Sequence, residues 1–120
     1  MSKLPKVLPA RFFRTVSGNE PVREWLKDLD KEDRAIIGDD IRTVEFGWPL
    51  GMPLCRSIRG HNDLWEVRSK ITGGRIARVI FYVKDGEMIL LHGFVKKTQK
   101  TATKDLELAT KRRKEYEKNA

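Results

Sequence analysis

Three strand signals in a row constrain this chain more than anything else in it: "LWEVRSKI" (64–71), "RIARVIFYV" (75–83) and "EMILLHGFV" (87–95). Each is rich in β-branched, aromatic or aliphatic residues, and turn residues separate them. Asp85-Gly86, between the second and third, favours a two-residue hairpin whose central positions need positive φ. Thr72-Gly73-Gly74 separates the first two. Side chains alternate across a strand, so the parity of each loop decides which residues share a face. A three-residue loop puts Trp65 and Val67 on one face with Ala77, Val79 and Phe81, the core face. Arg68 then lies directly opposite Arg78 on the other face, which also carries Glu66, whereas a two-residue Gly-Gly turn would put the two arginines on opposite faces. An uninterrupted count back from a Lys84–Glu87 pair sets Gly93 opposite Arg78 and Val95 opposite Ile76. It puts His92 on the core face beside Val79, as a structural histidine, and brings Lys96 beside Arg75.

The residues before this meander read differently. Ala10 to Val16 is a short strand candidate. "SGNEP" opens a helix, with Asn19 or Ser17 as cap and Pro21 in the first turn, running to about Leu29. Asp30 caps a second helix with Glu32 and Asp33 in its first turn, which suits the helix dipole. Ile37, Ile41 and Val44 give that helix its apolar stripe, and Gly47 before Trp48-Pro49 ends it. A loop follows, with one short extended piece at Leu54 to Ile58. Thr103 to Lys118 is a last helix with Ala102, Leu106, Ala109 and Tyr116 on its apolar edge. The expected architecture is α+β: a small twisted antiparallel sheet of about four strands, two N-terminal helices and a C-terminal helix. At 120 residues the chain fits one domain, 1–120.

Several classes are disfavoured. No apolar run approaches the ~18 residues a membrane span needs. The N-terminal "MSKLPKVLPARFFR" lacks the apolar centre of a signal peptide. A lone Cys55 forms no internal disulfide, so a cytoplasmic location is the expectation. His61, His92 and Cys55 stand apart, without metal-ligand spacing, so neither metal nor cofactor is expected.

Charge points to a partner. The net charge is +8, and it is lopsided. Residues 1–55 carry nine basic and nine acidic side chains; residues 56–120 carry sixteen basic and eight acidic. A one-sided excess of this kind is the footprint of a polyanion. Two arginines facing each other across a strand pair repel, and arginine is suited to bidentate phosphate contacts. A phosphate shared by Arg68 and Arg78 resolves the conflict. So do two arginines fanned into water with Glu66 or Asp63 as partners. The strand ending at Lys96 runs on through Lys97, Gln99 and Lys100 without an acid, and Arg75, Lys96 and Lys97 converge with Arg68 and Arg78 on one basic rim.

"LWEVRSKITGGRIARVIFYV", then "LLHGFVKKTQKT", then a helix with "ELATKRR", resembles the RelE/HigB superfamily of bacterial and phage toxins, in its HigB-like, phage-derived branch. The resemblance covers roughly residues 7 to 117. It implies the toxin of a type II toxin–antitoxin system: a ribosome-dependent mRNA endonuclease that inhibits translation by metal-independent cleavage through the 2′-hydroxyl. The implied partners are a HigA-like helix-turn-helix antitoxin and the ribosome with its message. Position by position, it implies catalytic roles for Arg68, Arg78, Lys96 and Lys97; beside them, Arg75, Gln99 and Lys100 are expected to bind RNA. The general base is open: Glu66 is a candidate on the arginine face, and Tyr116 and His92 match the tyrosine or histidine of some relatives less well. The alternative is a non-catalytic RNA- or DNA-binding module, or an inactive relative, using the same basic face.

Overall fold

The two turns of the meander form as their sequences direct. Asp85 and Gly86 both take positive φ, 50° and 75°, and Lys84 pairs with Glu87. Thr72–Gly74 forms a short 3-10 turn, and its odd length brings Arg68 opposite Arg78. The computed structural model describes residues 5–51, 53–96 and 103–119. The elements run β1 (Ala10–Phe12), α1 (Pro21–Lys27), α2 (Lys31–Gly47), β2 (Cys55–Ile58), β3 (His61–Lys70), β4 (Ile76–Lys84), β5 (Glu87–Lys96) and α3 (Thr103–Asn119).

The sheet has five strands in the order β1-β5-β4-β3-β2. It differs from the expected antiparallel sheet of about four strands in two ways. Cys55–Ile58 is a full edge strand, and β1 pairs parallel to β5, so the sheet is mixed. The two N-terminal helices and the C-terminal helix form as expected. Pro21 sits in the first turn of α1, although Glu20, not Asn19 or Ser17, occupies the cap position. Asp30 takes the cap position of α2 without a side-chain cap bond.

One face of the sheet packs on α1 and α2. Val22, Ile37, Ile41 and Val44 meet Val67, Val79, Phe81 and Leu90 there. A polar latch holds the end of this layer. The Asp33 carboxylate accepts from the Thr72 amide and hydroxyl and from Arg75 Nη2, the last at 2.8 Å. These bonds, the amide's first, hold the Asp33 carboxyl below its ordinary pKa. The other face packs on α3 through Ile80, Tyr82, Ile89, Leu91, Phe94 and Ala109.

The strand count from the hairpin fails at one point. A bulge between Ile80 and Phe81 skips Leu91, so β5 shifts by one residue beyond it. His92 pairs with Ile80 and Gly93 with Val79; Phe94, not Gly93, faces Arg78, and Lys96, not Val95, faces Ile76. His92 therefore lies on the α3 face and not on the face beside Val79. The slip turns Gly93 toward α1, where an added Cβ would sit 2.3 Å from Trp25 Cε3. Only glycine lets the indole lie against the strand at this point.

Candidate nucleic-acid interface

On the α3 face, three adjacent rows cross the strands near the start of the helix. One row is Arg56, Glu66, Ile80 and His92; the next is Arg68, Arg78 and Phe94; the last is Lys70, Ile76 and Lys96. The strands thus gather three arginines and two lysines on one end of one face.

Glu66 is the centre of the cluster. It is fully buried, as is Arg78. Glu66 Oε1 accepts from Arg56 Nε at 2.6 Å and from Arg78 Nη1 at 3.4 Å, and it lies 3.9 Å from Arg68 Nε. A carboxylate among three guanidinia relieves the repulsion that a facing arginine pair brings. Exposure grades outward: the Arg78 side chain is 0 % exposed, Arg68 10 % and Arg56 35 %. The expectation that Arg78 stands on an open face opposite the core is therefore corrected, because α3 and the neighbouring strands make this face a second buried layer. Burial pulls the Arg78 guanidinium below the ordinary arginine pKa, Glu66 opposes that, and Arg68 and Arg56 add to it.

A second cluster fixes the start of α3 to β5. His92 Nε2 lies 2.7 Å from Asp105 Oδ1, and Lys96 Nζ lies 3.3 Å from Asp105 Oδ2. Arg112 Nη1 donates to the carbonyl of the bulged Leu91 at 2.9 Å and lies 3.4 Å from His92 Nδ1. Burial lowers the His92 pKa against the pull of Asp105, and Arg112 lowers it further. The neutral ring thus donates from Nε2 to Asp105 and presents Nδ1 to Arg112. Lys96 also lies over the Phe94 ring, 5.6 Å from its centroid.

Of the residues singled out from the sequence, Arg68, Arg78 and Glu66 come together, and Lys96 closes the same face at β5. Arg75 does not join them: it lies in the turn before β4, and Asp33 of α2 holds it on the opposite side of the sheet. Lys97, Gln99 and Lys100 lie outside the described residues. Tyr116 packs edge-on against Tyr82, far along α3 from the arginines. Arg56, Phe94, Asp105 and Arg112 went unnoticed in the sequence. Arg56 had a signal, since a short strand at 54–58 pairs it with Glu66; the other three depend on the bulge and on where α3 lands.

A small α+β protein with a guanidinium cluster at one end of a helix-covered sheet is the class that fold and site define. A family model described as Phage derived protein Gp49-like (DUF891) matches residues 24–114. The chain belongs to this Gp49-like family of phage-derived proteins. The match begins within α1 and ends within α3, so it contains the whole meander and the arginine cluster. No curated protein matches the chain. Among the described residues, no helix is long and apolar enough to cross a membrane.

Proposed function

We propose that this protein is the toxin of a type II toxin–antitoxin system and cleaves messenger RNA on the ribosome. The observation that carries the reading is the Arg56–Arg68–Arg78 cluster around Glu66, at the end of a sheet whose chain continues into Lys96 and Lys97. The Gp49-like family, phage-derived by its description, and the resemblance to RelE/HigB toxins agree with it. The same resemblance supplies the other partner, a helix-turn-helix antitoxin of the HigA kind.

In this reading Arg68 and Arg56 grip the scissile phosphate, since they are less buried than Arg78. The ribose 2′-hydroxyl attacks phosphorus and loses its proton to water, the bond to the 5′-oxygen breaks, and a 2′,3′-cyclic phosphate forms. Charge grows on the phosphoryl oxygens, where preorganised guanidinium groups act most strongly. Arg78 is a positioning residue: it lies beneath the surface and, through Glu66, sets the two arginines above it. Glu66 serves the same end instead of taking the 2′-proton, because Oε1 already accepts from Arg56 and Arg78 and solvent does not reach it. The Lys96–Lys97 ammonium pair is suited to protonate the leaving 5′-oxygen, and Gln99 and Lys100 to hold the adjacent backbone. A second reading, an RNA-binding module without catalysis, draws on one fact: a carboxylate already offsets part of the cluster's charge.

The test is 5′-end mapping of a message on programmed ribosomes. Arg68→Ala should lower the cleavage rate about 10²–10³-fold, the scale set by loss of one preorganised donor. RNA binding should weaken as salt rises, because phosphate contacts release counterions. Binding without cleavage by the unaltered protein would favour the second reading, and cleavage unaffected by Arg68→Ala would remove the cluster from the chemistry.

A further inference from the structure

The sheet outruns its edge strand on one side. β2 begins at Cys55, opposite Val67, while β3 continues to Lys70. Against this projecting segment lies a groove of about 500 Å³. Its walls are apolar: Ile36 from α2, Pro53 and Leu54 leading into β2, and Ile76 from β4. Its polar lining is Arg68 and Lys70 from β3 and Asp40 from α2. Arg68 thus belongs to both the groove and the arginine cluster. The Asp40 carboxylate and the Lys70 ammonium make no hydrogen bond or ion pair with another described residue.

We propose that this groove is a nucleobase subsite next to the phosphate-binding arginines and that it selects guanine through Asp40. The inference rests on the RNA-cleaving reading above. A groove of this size takes one base with room for its ribose, and apolar walls cover the faces of a planar ring. The two cations beside it suit the phosphates on either side of that nucleoside. The base is chosen by the carboxylate, which only accepts. Guanine presents N1–H and the N2 amino group side by side, two donors for two oxygens. Adenine and cytosine set a ring acceptor next to their amino donor, and uracil flanks its single N–H with two carbonyls. Each of these turns an acceptor toward a carboxylate oxygen, and an unpaired, repelling contact discriminates more strongly than a missing methylene.

The experiment is a calorimetric titration of the full chain with GMP, AMP, CMP and UMP at low salt. GMP should bind about tenfold more tightly than the other three, the scale of one bidentate base contact. Asp40→Asn should erase that preference, since an amide offers one donor and one acceptor. Lys70→Ala should weaken all four by a similar factor. Thermal melts of both variants check that the half-buried Asp40 and exposed Lys70 positions leave the fold intact. Equal affinity for the four nucleotides, no binding, or a preference for GMP that survives Asp40→Asn would each overturn the proposal. Cleavage mapping keeps the two levels apart. Cuts on the ribosome with no enrichment for guanine sink the subsite and spare the toxin reading. Absence of cuts sinks the toxin reading, and the titration still judges the groove.

Discussion

The two faces of the sheet are both covered by helices, yet they are built from different materials. The face under α1 and α2 is apolar across its width, from Met88 and Leu90 through Phe81 and Val79 to Val67 and Cys55. Its polar devices sit at the margins: the Asp33–Thr72–Arg75 latch, and the Glu45 carboxylate of α2, which accepts from the Ala10 amide of β1. The face under α3 is apolar only at one end. At the other it buries Glu66 and Arg78 completely and His92 and Asp105 nearly so. Burying ions costs several kcal/mol each before pairing offsets it, and an apolar pair of similar size often does as well or better. Stability alone would favour more of what the first face has. Charge placed in the second face, at the end where α3 begins, is what a site requires.

The comparison breaks first at Glu66. Removing it leaves Arg78 buried with its carboxylate gone, beside Arg56 and Arg68. Glu66→Ala should therefore cost about 3–5 kcal/mol in chemical denaturation, the range for removing one partner of a buried pair. Replacing both members, as in Glu66→Leu with Arg78→Met, should recover much of that loss while removing the cleavage activity proposed above. If Glu66→Ala unfolds at the unaltered midpoint, the cluster is not held by this carboxylate, and the contrast between the faces loses its main support.

Much of the apolar face was legible. The hairpin dipeptide, the odd-length loop and the alternation of Trp65, Val67, Val79 and Phe81 dictate it, and the facing of Arg68 and Arg78 follows from the same parity. The α3 face was legible only in part. Ile76, Ile80 and Tyr82 alternate with the core residues, and such a second apolar row asks for a cover; reading it as solvent-facing left Arg78 in water. The bulge was hidden for another reason. Alternation assumes one residue per pair, and Leu91 breaks the count, which moves His92, Phe94 and Lys96 together. Gly93 was the available sign, because a glycine inside a strand marks a bulge or a close backbone approach. Arg75 was misplaced because it lies one residue outside β4, where strand parity has no force.

The bulge can be tested from the apolar side. Gly93→Ala brings a methyl into the Trp25 indole, with the nearest ring atoms at 2.3 and 2.4 Å from the added Cβ. The indole or the strand must move, and overpacking of this kind costs about 1–3 kcal/mol. Trp25→Leu in the same background should return part of the loss by vacating the space. A Gly93→Ala protein as stable as the parent would mean that Gly93 does not face α1, and with it the shifted register, the placement of His92 on the α3 face and the row Arg68–Arg78–Phe94 would fall.

The smallest effect is a pH dependence just below neutrality that the α3 face should show, distinct from the acid-range loss expected of Asp33 on the other face. Burial lowers the pKa of His92 below the ordinary value of 6.5, with Arg112 adding to the shift and Asp105 opposing it. In the unfolded chain the ring takes up its proton near that ordinary value; in the folded protein it does so only at lower pH. Between the two, the unfolded state binds more protons, so stability rises with pH across the interval. The contribution of a neutral His92 is complete above the unfolded pKa, declines as the pH falls below it, and levels off below the folded pKa. Denaturant midpoints measured from pH 7.5 downward should trace this decline, and His92→Gln, which keeps a donor for Asp105 without a titrating ring, should flatten it. A slope that persists unchanged in His92→Gln would assign the titration elsewhere. A slope of opposite sign would show that Asp105 outweighs burial, so that the ring is held charged between Asp105 and the bulge and the α3 face carries one more cation than this geometry gives it.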